Sequence, residues 1–216
     1  MSDVNPEDFI ISRKRKKYRF ALFHNSPLCF EVDEWQNSPP PHVLEMGAGT
    51  GLFSVALASD SEQHFVAADV KADRLQTGAR LAEEKGMTNL RFLRARADQL
   101  SELLTPNSLT TIWLTFPDPF PKDRAAKNRL THSSVLRIYA DLLNADGALY
   151  FKTDARALFE WSLEQLVQEG WRLVELSFDL HASDLPEAYK VQTTYESRYI
   201  QEGLAINFVK ALPPFV

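Results

Sequence analysis

Three prolines and one carboxylate stand close together after an apolar run of the sequence. The run from Leu109 to Phe116 predicts a buried strand, and Asp118 follows it between Pro117 and Pro119. Proline fixes φ and removes a backbone donor, so we expect Asp118 on a stiff loop just past the end of the strand. Ligands of open α/β sheets bind at such strand ends, which makes Asp118 a candidate site residue. A rigid turn with a solvated Asp is the alternative interpretation.

A glycine-rich turn follows an earlier predicted strand. Its glycines stand at every second position, as suits a backbone that approaches a ligand or adopts positive φ: Gly47, Gly49 and Gly51. Leu52 occupies the position where a dinucleotide-binding turn needs its third glycine, which weakens that interpretation. Glu45 would repel a pyrophosphate but suits a cationic ligand, and Asp69 ends the next strand, where an acid accepts hydrogen bonds from ribose hydroxyls. Together these features favour S-adenosylmethionine as the ligand, and a structural turn is the alternative.

Basic residues are concentrated in two patches of an otherwise acidic chain. The formal net charge is −5 at pH 7. The first patch lies between Arg13 and Arg19, and the second comprises Lys122, Arg124, Lys127 and Arg129. An acidic body with local basic patches is typical of proteins that contact a polyanion such as RNA. Two solvated faces are the alternative.

Length and composition narrow the class of protein. A chain of 216 residues fits one domain with a sizeable core. No apolar run approaches the roughly 18 residues that cross a membrane, so we expect no membrane span. The N-terminus has no apolar h-region, so we expect no secretory signal. Cys29 is the only cysteine, and the five histidines show no metal-ligand spacing. The sequence therefore predicts a cytoplasmic protein without a metal, and it leaves the choice between a monomer and a homodimer open.

Apolar runs and amphipathic stretches alternate after the prolines at 39–41. This alternation predicts an α/β fold with a mostly parallel sheet and helices on both faces. The predicted strands are His42–Met46, His64–Asp69, Leu90–Leu93, Leu109–Phe116, Ala148–Lys152, Arg172–Phe178 and Ala205–Val209. The predicted helices are Leu52–Ser59, Lys71–Lys85, Gln99–Leu104, Thr131–Leu143 and Ala155–Glu169. Residues 1–20 are interpreted as a flexible basic arm, and residues 1–40 as this arm and a linker before a domain at 41–216. Leu28 to Trp35 is predicted to form a short helix or strand.

Four segments of the sequence match one known family in order and spacing. They are Phe116–Lys122, the basic loop Arg124–Arg129 running into Leu130 and Thr131, Phe151–Asp154, and Thr193–Glu196. The chain resembles the bacterial tRNA (guanine-N7)-methyltransferases over roughly residues 41 to 210. The resemblance implies a Rossmann-like class I methyltransferase fold with a seven-stranded sheet. It also implies methyl transfer from S-adenosylmethionine to N7 of a guanosine in tRNA, at position 46 of the variable loop.

The resemblance also implies a role for each matching residue. Asp118 would be catalytic and would contact the cofactor together with Glu45, Gly47, Gly49, Gly51, Asp69, Arg96 and Ala97. The guanosine would be held by Lys122, Asp154, Thr193, Thr194, Tyr195 and Glu196. RNA would lie along Arg124, Lys127, Asn128 and Arg129.

Three positions depart from the family pattern. Phe120 replaces a Trp, Asp69 replaces a Glu, and Arg96 stands where an Asp or Asn usually meets the adenine. Arg96 keeps open a second hypothesis, a catalytically weak RNA-binding relative of the same fold. A small-molecule methyltransferase is disfavoured, because it would leave both basic patches without a role.

Overall fold

The strands of the protein form one sheet in the computed structural model, which describes residues 3–214 apart from the side chains of Thr194 and Tyr195. The strands are β1 (Cys29–Glu31), β2 (Val43–Met46), β3 (Phe65–Asp69), β4 (Leu90–Arg94), β5 (Leu109–Thr115), β6 (Leu143–Thr153), β7 (Arg172–Ser177) and β8 (Asn207–Leu212). The helices are α1 (Lys14–Asn25), α2 (Leu52–Ala58), α3 (Ala72–Glu84), α4 (Leu100–Leu103), α5 (Ser133–Leu142), α6 (Arg156–Gln168) and α7 (Thr194–Gln201). None of the helices in the described range has the length and apolar character of a membrane span.

The sheet has the order β1-β4-β3-β2-β5-β6-β8-β7. Strands β1 to β6 pair in parallel, and β8 runs antiparallel to β6 and β7. This confirms the predicted α/β class with a mostly parallel sheet. The described part has eight strands rather than seven, because β1 adds an edge strand beside β4.

Helices cover both faces of the sheet, as predicted. One face packs against α4, α5 and α6 through side chains such as Leu44, Ile112 and Tyr139. The other packs against α1, α2 and α3 through side chains such as Val43 and Phe92. Successive residues of a strand point to opposite faces, so Leu44 and Val43 on β2 belong to different halves of the core. Glu45 follows this alternation and points to the same face as Val43.

The direction in which the chain adds strands to the sheet reverses at β2, and this reversal determines where a ligand-binding crevice opens. The chain moves from β2 to β3 and β4 on one side, and then crosses to β5 and β6 on the other. Loops that leave β2 and β5 therefore diverge at their carboxyl ends and open a crevice there. The glycine turn follows β2 and the Pro117–Pro121 loop follows β5, so both predicted motifs border this crevice.

The first part of the chain differs from the flexible arm predicted over residues 1–20. Residues 6–8 form a short 3-10 helix, and α1 begins at Lys14 and packs against α3. Phe23 of α1 is fully buried. The predicted domain boundary at residue 41 therefore does not separate a packed from an unpacked part of the chain. Helix α1 packs on α3, and strand β1 pairs with β4 of the same sheet. The run of basic residues concealed this helix, since only Ala21 and Phe23 of α1 are buried.

Candidate active site

A cavity of about 580 Å³ opens at the carboxyl ends of β2 to β5. The predicted cofactor residues that line it are Glu45, Gly47, Gly49, Asp69, Arg96, Ala97 and Asp118. From the predicted guanosine and RNA sets, the cavity is lined by Thr193, Lys127, Asn128 and Arg129. Segments separated by up to about 150 residues of sequence thus meet around one space, as strand-end loops of a parallel sheet do.

The glycine turn between β2 and α2 has the backbone that its sequence predicted. Gly47, Gly49 and Gly51 have φ values of 78°, 56° and 70°, a region that side chains rarely tolerate. A Cβ on Gly49 would meet nothing within 4 Å, so the backbone is open to a ligand there. Gly51 corrects the prediction, because it does not line the cavity. It lies at the start of α2, where a Cβ would stand 2.5 Å from the ring of Phe92, so its role is in packing.

Glu45 is a buried carboxylate at the floor of the cavity, with 2% of its surface exposed. Ser54 Oγ donates to its Oε2 at 2.6 Å, and Thr115 Oγ1 donates to its Oε1 at 2.6 Å. Burial raises the pKa of Glu45 to about 7, against these two hydrogen bonds and the charge of Lys152, which lower it. In its ionised form, this buried carboxylate can attract a cationic ligand in the cavity.

Asp69 connects the end of β3 to the glycine turn. Its Oδ2 accepts a hydrogen bond from the Gly49 N–H at 2.8 Å, and its Oδ1 accepts one from the Lys71 N–H at 2.8 Å. The carboxylate is buried but lines the cavity. Its orientation is thus fixed before a ligand arrives, and its remaining lone pairs can accept from ribose hydroxyls.

Arg96 lies at the rim with its side chain turned to a neighbour. The guanidinium donates to both carboxylate oxygens of Asp98, at 2.9 and 3.0 Å. This ion pair lowers the pKa of Asp98 and raises that of Arg96. Ala97 lies between them in the sequence and is buried. Both Ala97 and Asp98 line the cavity. The backbone N–H of Ala97 and the carboxylate of Asp98 are therefore both at the cavity, beside the position where the family usually has an acid or an amide for the adenine.

The loop after β5 is held in a strained conformation. Phe116 and Phe120 have φ values of 50° and 42°, although neither is glycine. Such backbone is rare outside glycine and persists only where neighbouring contacts enforce it. The Phe116 N–H donates to the Lys152 carbonyl at 2.9 Å. Asp118, between them, is exposed over 68% of its side chain and lies 3.3 Å from Lys71 Nζ.

Arg129 corrects its predicted role in RNA binding. It follows a 3-10 helix over Asp123–Asn128 and is only 7% exposed. Its guanidinium donates to the carbonyls of Pro119 and Phe120 at 3.0 to 3.3 Å, and it lies 4.3 Å from the ring centroid of Trp161. Arg129 therefore holds the strained loop. Exposed cations of the same segment are Lys122, Arg124 and Lys127, of which Lys127 lines the cavity.

The predicted guanosine residues are distributed unevenly. Thr193 is at the cavity, whereas Lys122 and Asp154 are outside its lining. Asp154 is half-buried at the end of β6, and burial raises its pKa. Glu196 corrects the prediction of a direct contact: it is fully buried and bonded to Lys152 Nζ at 2.6 Å. The side chains of Thr194 and Tyr195 lie outside the described residues.

Comparison with known proteins decides the family. A family model described as a putative methyltransferase matches residues 39–209. A tRNA (guanine-N(7)-)-methyltransferase of Cytophaga hutchinsonii is 38% identical over 181 residues, 82% of this chain and 82% of that protein. Another, of Brevibacillus brevis, is 38% identical over 196 residues, 89% of this chain and 91% of that protein. The chain belongs to the tRNA (guanine-N(7)-)-methyltransferase family. The resemblance to this family is thereby confirmed.

Solved structures confirm the class I methyltransferase fold. The 16S rRNA methyltransferase KamB has a TM-score of 0.59 at 17% identity, covering 85% of this chain and 91% of that one. An antibiotic-related methyltransferase has a TM-score of 0.57 at 17% identity, covering 83% of this chain and 88% of that one. At this identity the likeness concerns the fold alone.

The cofactor of this methyltransferase is S-adenosylmethionine, and the cavity fits it. Glu45 offers a negative charge for a sulfonium cation, Asp69 offers acceptors for ribose hydroxyls, and Gly49 leaves the backbone open. Among residues 3–214, no group of three or more His, Cys, Asp or Glu could hold a metal ion.

Four residues of this methyltransferase were not found from the sequence. Ser54 and Thr115 hold Glu45, Lys71 pairs with Asp118, and Lys152 pairs with Glu196. Thr115 is the next-to-last residue of one predicted strand and Lys152 is the last residue of another, which was a usable signal, but single hydroxyls and lysines are too common to single out. The helix α7 had a clearer signal: Thr193 and Glu196 form a capping box, whose S/T-x-x-E pattern stands in the sequence.

Proposed function

We propose that the chain transfers a methyl group from S-adenosylmethionine to N7 of a guanosine in tRNA, at position 46 of the variable loop, in the cytoplasm. One observation carries the proposal: the exposed loop with Asp118 and Lys127 forms the rim of the same cavity whose floor is Glu45. A cofactor and a nucleotide on an RNA chain could thus meet at this rim. Membership of the tRNA (guanine-N(7)-)-methyltransferase family supports the same substrate.

The chemistry asks little of the protein beyond positioning. The cofactor supplies an electrophilic methyl group on a sulfonium. Guanine N7 has an in-plane lone pair and no proton, so a general base is not needed. The chain's contribution is to hold the nucleotide in line with the methyl group, which can supply a large share of the rate enhancement.

Asp118 is the residue proposed to hold the guanine. Its carboxylate can accept from the N1–H and the exocyclic amine, and it can stabilise the positive charge that the ring gains on methylation. In the structure Asp118 is exposed and paired only with Lys71 among the ion pairs of the described residues. Such an exposed pair is weak, so exchange for a guanine edge is inexpensive. Asp154, half-buried at the end of the neighbouring strand, is proposed as a second acid near the ring.

The remaining assignments follow their positions. We assign RNA phosphates to the exposed residues Lys122, Arg124, Lys127 and Asn128, and Arg129 to holding their loop. Thr193 is assigned to the guanosine, and Thr194 and Tyr195 keep the contacts predicted from the family motif.

The test uses unmodified tRNA transcripts and mass analysis of their nucleosides. A transcript with guanosine at position 46 should acquire 7-methylguanosine on incubation with protein and cofactor. The matched control transcript carries adenosine at that position and should acquire none. Methylation of both transcripts would reject the position, and cofactor binding without any methylated nucleoside would favour the catalytically weak relative instead.

A further inference from the structure

A buried lysine lies between the cofactor floor and the substrate side. Lys152 on β6 has 0% of its surface exposed. Its Nζ donates to Glu196 Oε2 at 2.6 Å and to the Val191 carbonyl at 2.6 Å. Glu196 is also fully buried. A pair of charges removed from water is costly unless each is well compensated, so this pair is weak evidence for a role in stability alone.

The same lysine faces Glu45. Lys152 is the register partner of Thr115 on β5, and partners in parallel strands point to the same face of the sheet. Thr115 Oγ1 donates to Glu45. Lys152 Nζ also lies 4.7 Å from the ring centroid of Phe53, whose neighbour Ser54 is the second donor to Glu45. Both contacts place the ammonium on the Glu45 side of the sheet.

Glu196 extends the connection to the rim of the cavity. Its Oε2 accepts the Thr193 N–H at 3.1 Å, and its Oε1 lies 2.8 Å from His181 Nε2. The Thr193 hydroxyl in turn accepts the Glu196 N–H at 3.0 Å. Thr193 lines the cavity. Lys152 is thus connected, through the carboxylate of Glu196, to the segment that brings Thr193 to the cavity.

The charges within this cluster act on one another. Its titratable groups are Glu45 on β2, Lys152 on β6, His181 in the loop after β7 and Glu196 on α7. Burial lowers the pKa of Lys152, and the negative charges of Glu196 and Glu45 oppose that change. Burial raises the pKa of Glu45, and the charge of Lys152 opposes that change as well. Lys152 is therefore shared by two carboxylates.

We propose that Lys152 is a positioning residue for methyl transfer: one buried cation that stabilises the carboxylate of Glu45 beneath the cofactor and holds Glu196, and with it Thr193, at the substrate side. Glu196 then acts through Lys152 and the Thr193 turn, without touching the guanosine. The inference rests on the proposed function, because it takes Glu45 as the cofactor carboxylate.

The test measures S-adenosylmethionine affinity by calorimetry as a function of pH. If ionised Glu45 attracts the cofactor, affinity in the wild type rises with pH through a midpoint near the pKa of Glu45. Lys152→Met removes a positive charge, so the midpoint should move to higher pH and affinity at neutral pH should fall by roughly tenfold per unit of that shift. Glu196→Gln removes a negative charge, so its midpoint should move to lower pH.

Two further variants keep the result decisive. Lys152→Met leaves Glu196 buried without its ammonium partner, and this variant can fail to fold. The double variant Lys152→Met/Glu196→Gln carries no unpaired charge, and its midpoint should lie above that of Glu196→Gln alone. Lys210→Met is the matched control, because Lys210 lies on the adjacent strand β8, 3.8 Å from Glu175, and its removal should leave the midpoint unchanged.

A purely structural role for Lys152 would not move the midpoints in opposite directions. Equal midpoints in Glu196→Gln and the double variant would overturn the proposal. So would a loss of guanosine affinity in Glu196→Gln with no loss in Lys152→Met, since that would indicate that Glu196 contacts the guanosine directly and not through Lys152. If the wild type neither binds the cofactor nor methylates tRNA, the proposed function fails instead, and the two failures are therefore distinguishable.

Discussion

The two sides of the cavity hold their acidic side chains in different ways. On the cofactor side, which we define as the glycine turn with Glu45 and Asp69, both carboxylates are buried and accept hydrogen bonds from neighbouring donors. On the RNA side, which we define as residues 116–131, Asp118 is exposed and pairs with Lys71 at 3.3 Å. The cofactor side is preorganised, whereas the RNA side presents charges to solvent.

This difference indicates how the two substrates are recognised. A preorganised site loses little entropy when a small ligand binds, so the cofactor side can act without RNA. Exposed cations bind a polyanion largely through counterion release, so the RNA side should respond strongly to salt. Arg129 combines features of both sides: it belongs to the RNA side, but it is buried and hydrogen-bonded to the protein backbone.

Replacing Arg129 should give the largest effect. Arg129→Met removes charged hydrogen bonds to the Pro119 and Phe120 carbonyls and the contact with Trp161. We expect the free energy of unfolding to fall by about 2–4 kcal/mol, with loss of methyl transfer as the Asp118 loop relaxes. Thermal unfolding and a tRNA methylation assay measure both. Lys127→Met, an exposed control two residues away, should change stability by no more than about 0.5 kcal/mol. Equal stability of the two variants would show that Arg129 does not hold the loop in its folded conformation.

Glu45→Gln should separate the cofactor side from the RNA side. The loss of a charged group that faces the cofactor should weaken S-adenosylmethionine binding by about 1–3 kcal/mol at neutral pH. Binding of tRNA in the absence of cofactor should stay near that of the wild type. Calorimetry and a filter-binding assay give the two affinities. If the variant binds the cofactor as tightly as the wild type does, the sulfonium does not lie near Glu45.

The same substitution should change the pH dependence of stability. Burial raises the pKa of Glu45 from 4.5 to about 7, so the folded protein binds this proton more tightly than the unfolded chain. The stabilisation from the proton is fully present below pH 4.5 and is lost as pH rises through about 7. Above that pH, Glu45→Gln should therefore be more stable than the wild type, by up to about 3 kcal/mol. Denaturant unfolding at several pH values tests this, and a difference independent of pH would contradict it.

Removing the exposed cations should affect RNA alone. The triple variant Lys122→Ala/Arg124→Ala/Lys127→Ala should weaken tRNA binding, and the slope of log affinity against log salt should fall by up to about 3. Cofactor affinity should remain that of the wild type, because the glycine turn is a separate element. An unchanged salt slope would make this loop a solvated face and move the RNA interface elsewhere.

Arg96→Ala should have the smallest effect. Arg96 is exposed and pairs with Asp98, and such pairs contribute little. Cofactor affinity should change by no more than a few-fold, since Ala97 and Asp98 remain at the cavity. A large loss would show that the Arg96–Asp98 pair itself meets the adenine end.

Much of the site was predictable because its motifs are local. Gly47, Gly49 and Asp118 each follow a strand end within a few residues, and sequence spacing alone placed them at one edge of the sheet. The burial of Arg129 depends on Trp161, and the pairing of Glu196 depends on Lys152, 44 residues away. Partners so distant in sequence are brought together only by the packed fold.

Helix α1 was missed for a different reason. Its run of Lys and Arg suggested a flexible arm, but two buried side chains and the pairing of the following strand are enough to fix it on the sheet edge. The composition of this segment thus indicated its basic, exposed surface, but it did not reveal the helix face that packs on the rest of the protein.

The central claim is that the exposed loop brings a tRNA guanosine to a cofactor held on the preorganised side. The most direct measurement supplies S-adenosylmethionine with a deuterated methyl group to the wild-type protein and unmodified tRNA, and analyses the nucleosides by mass. We expect 7-methylguanosine carrying the heavy methyl group from the wild type, and none from Asp118→Asn at equal cofactor occupancy. A heavy methyl group on another base or another atom of guanine, or undiminished transfer by Asp118→Asn, would contradict it.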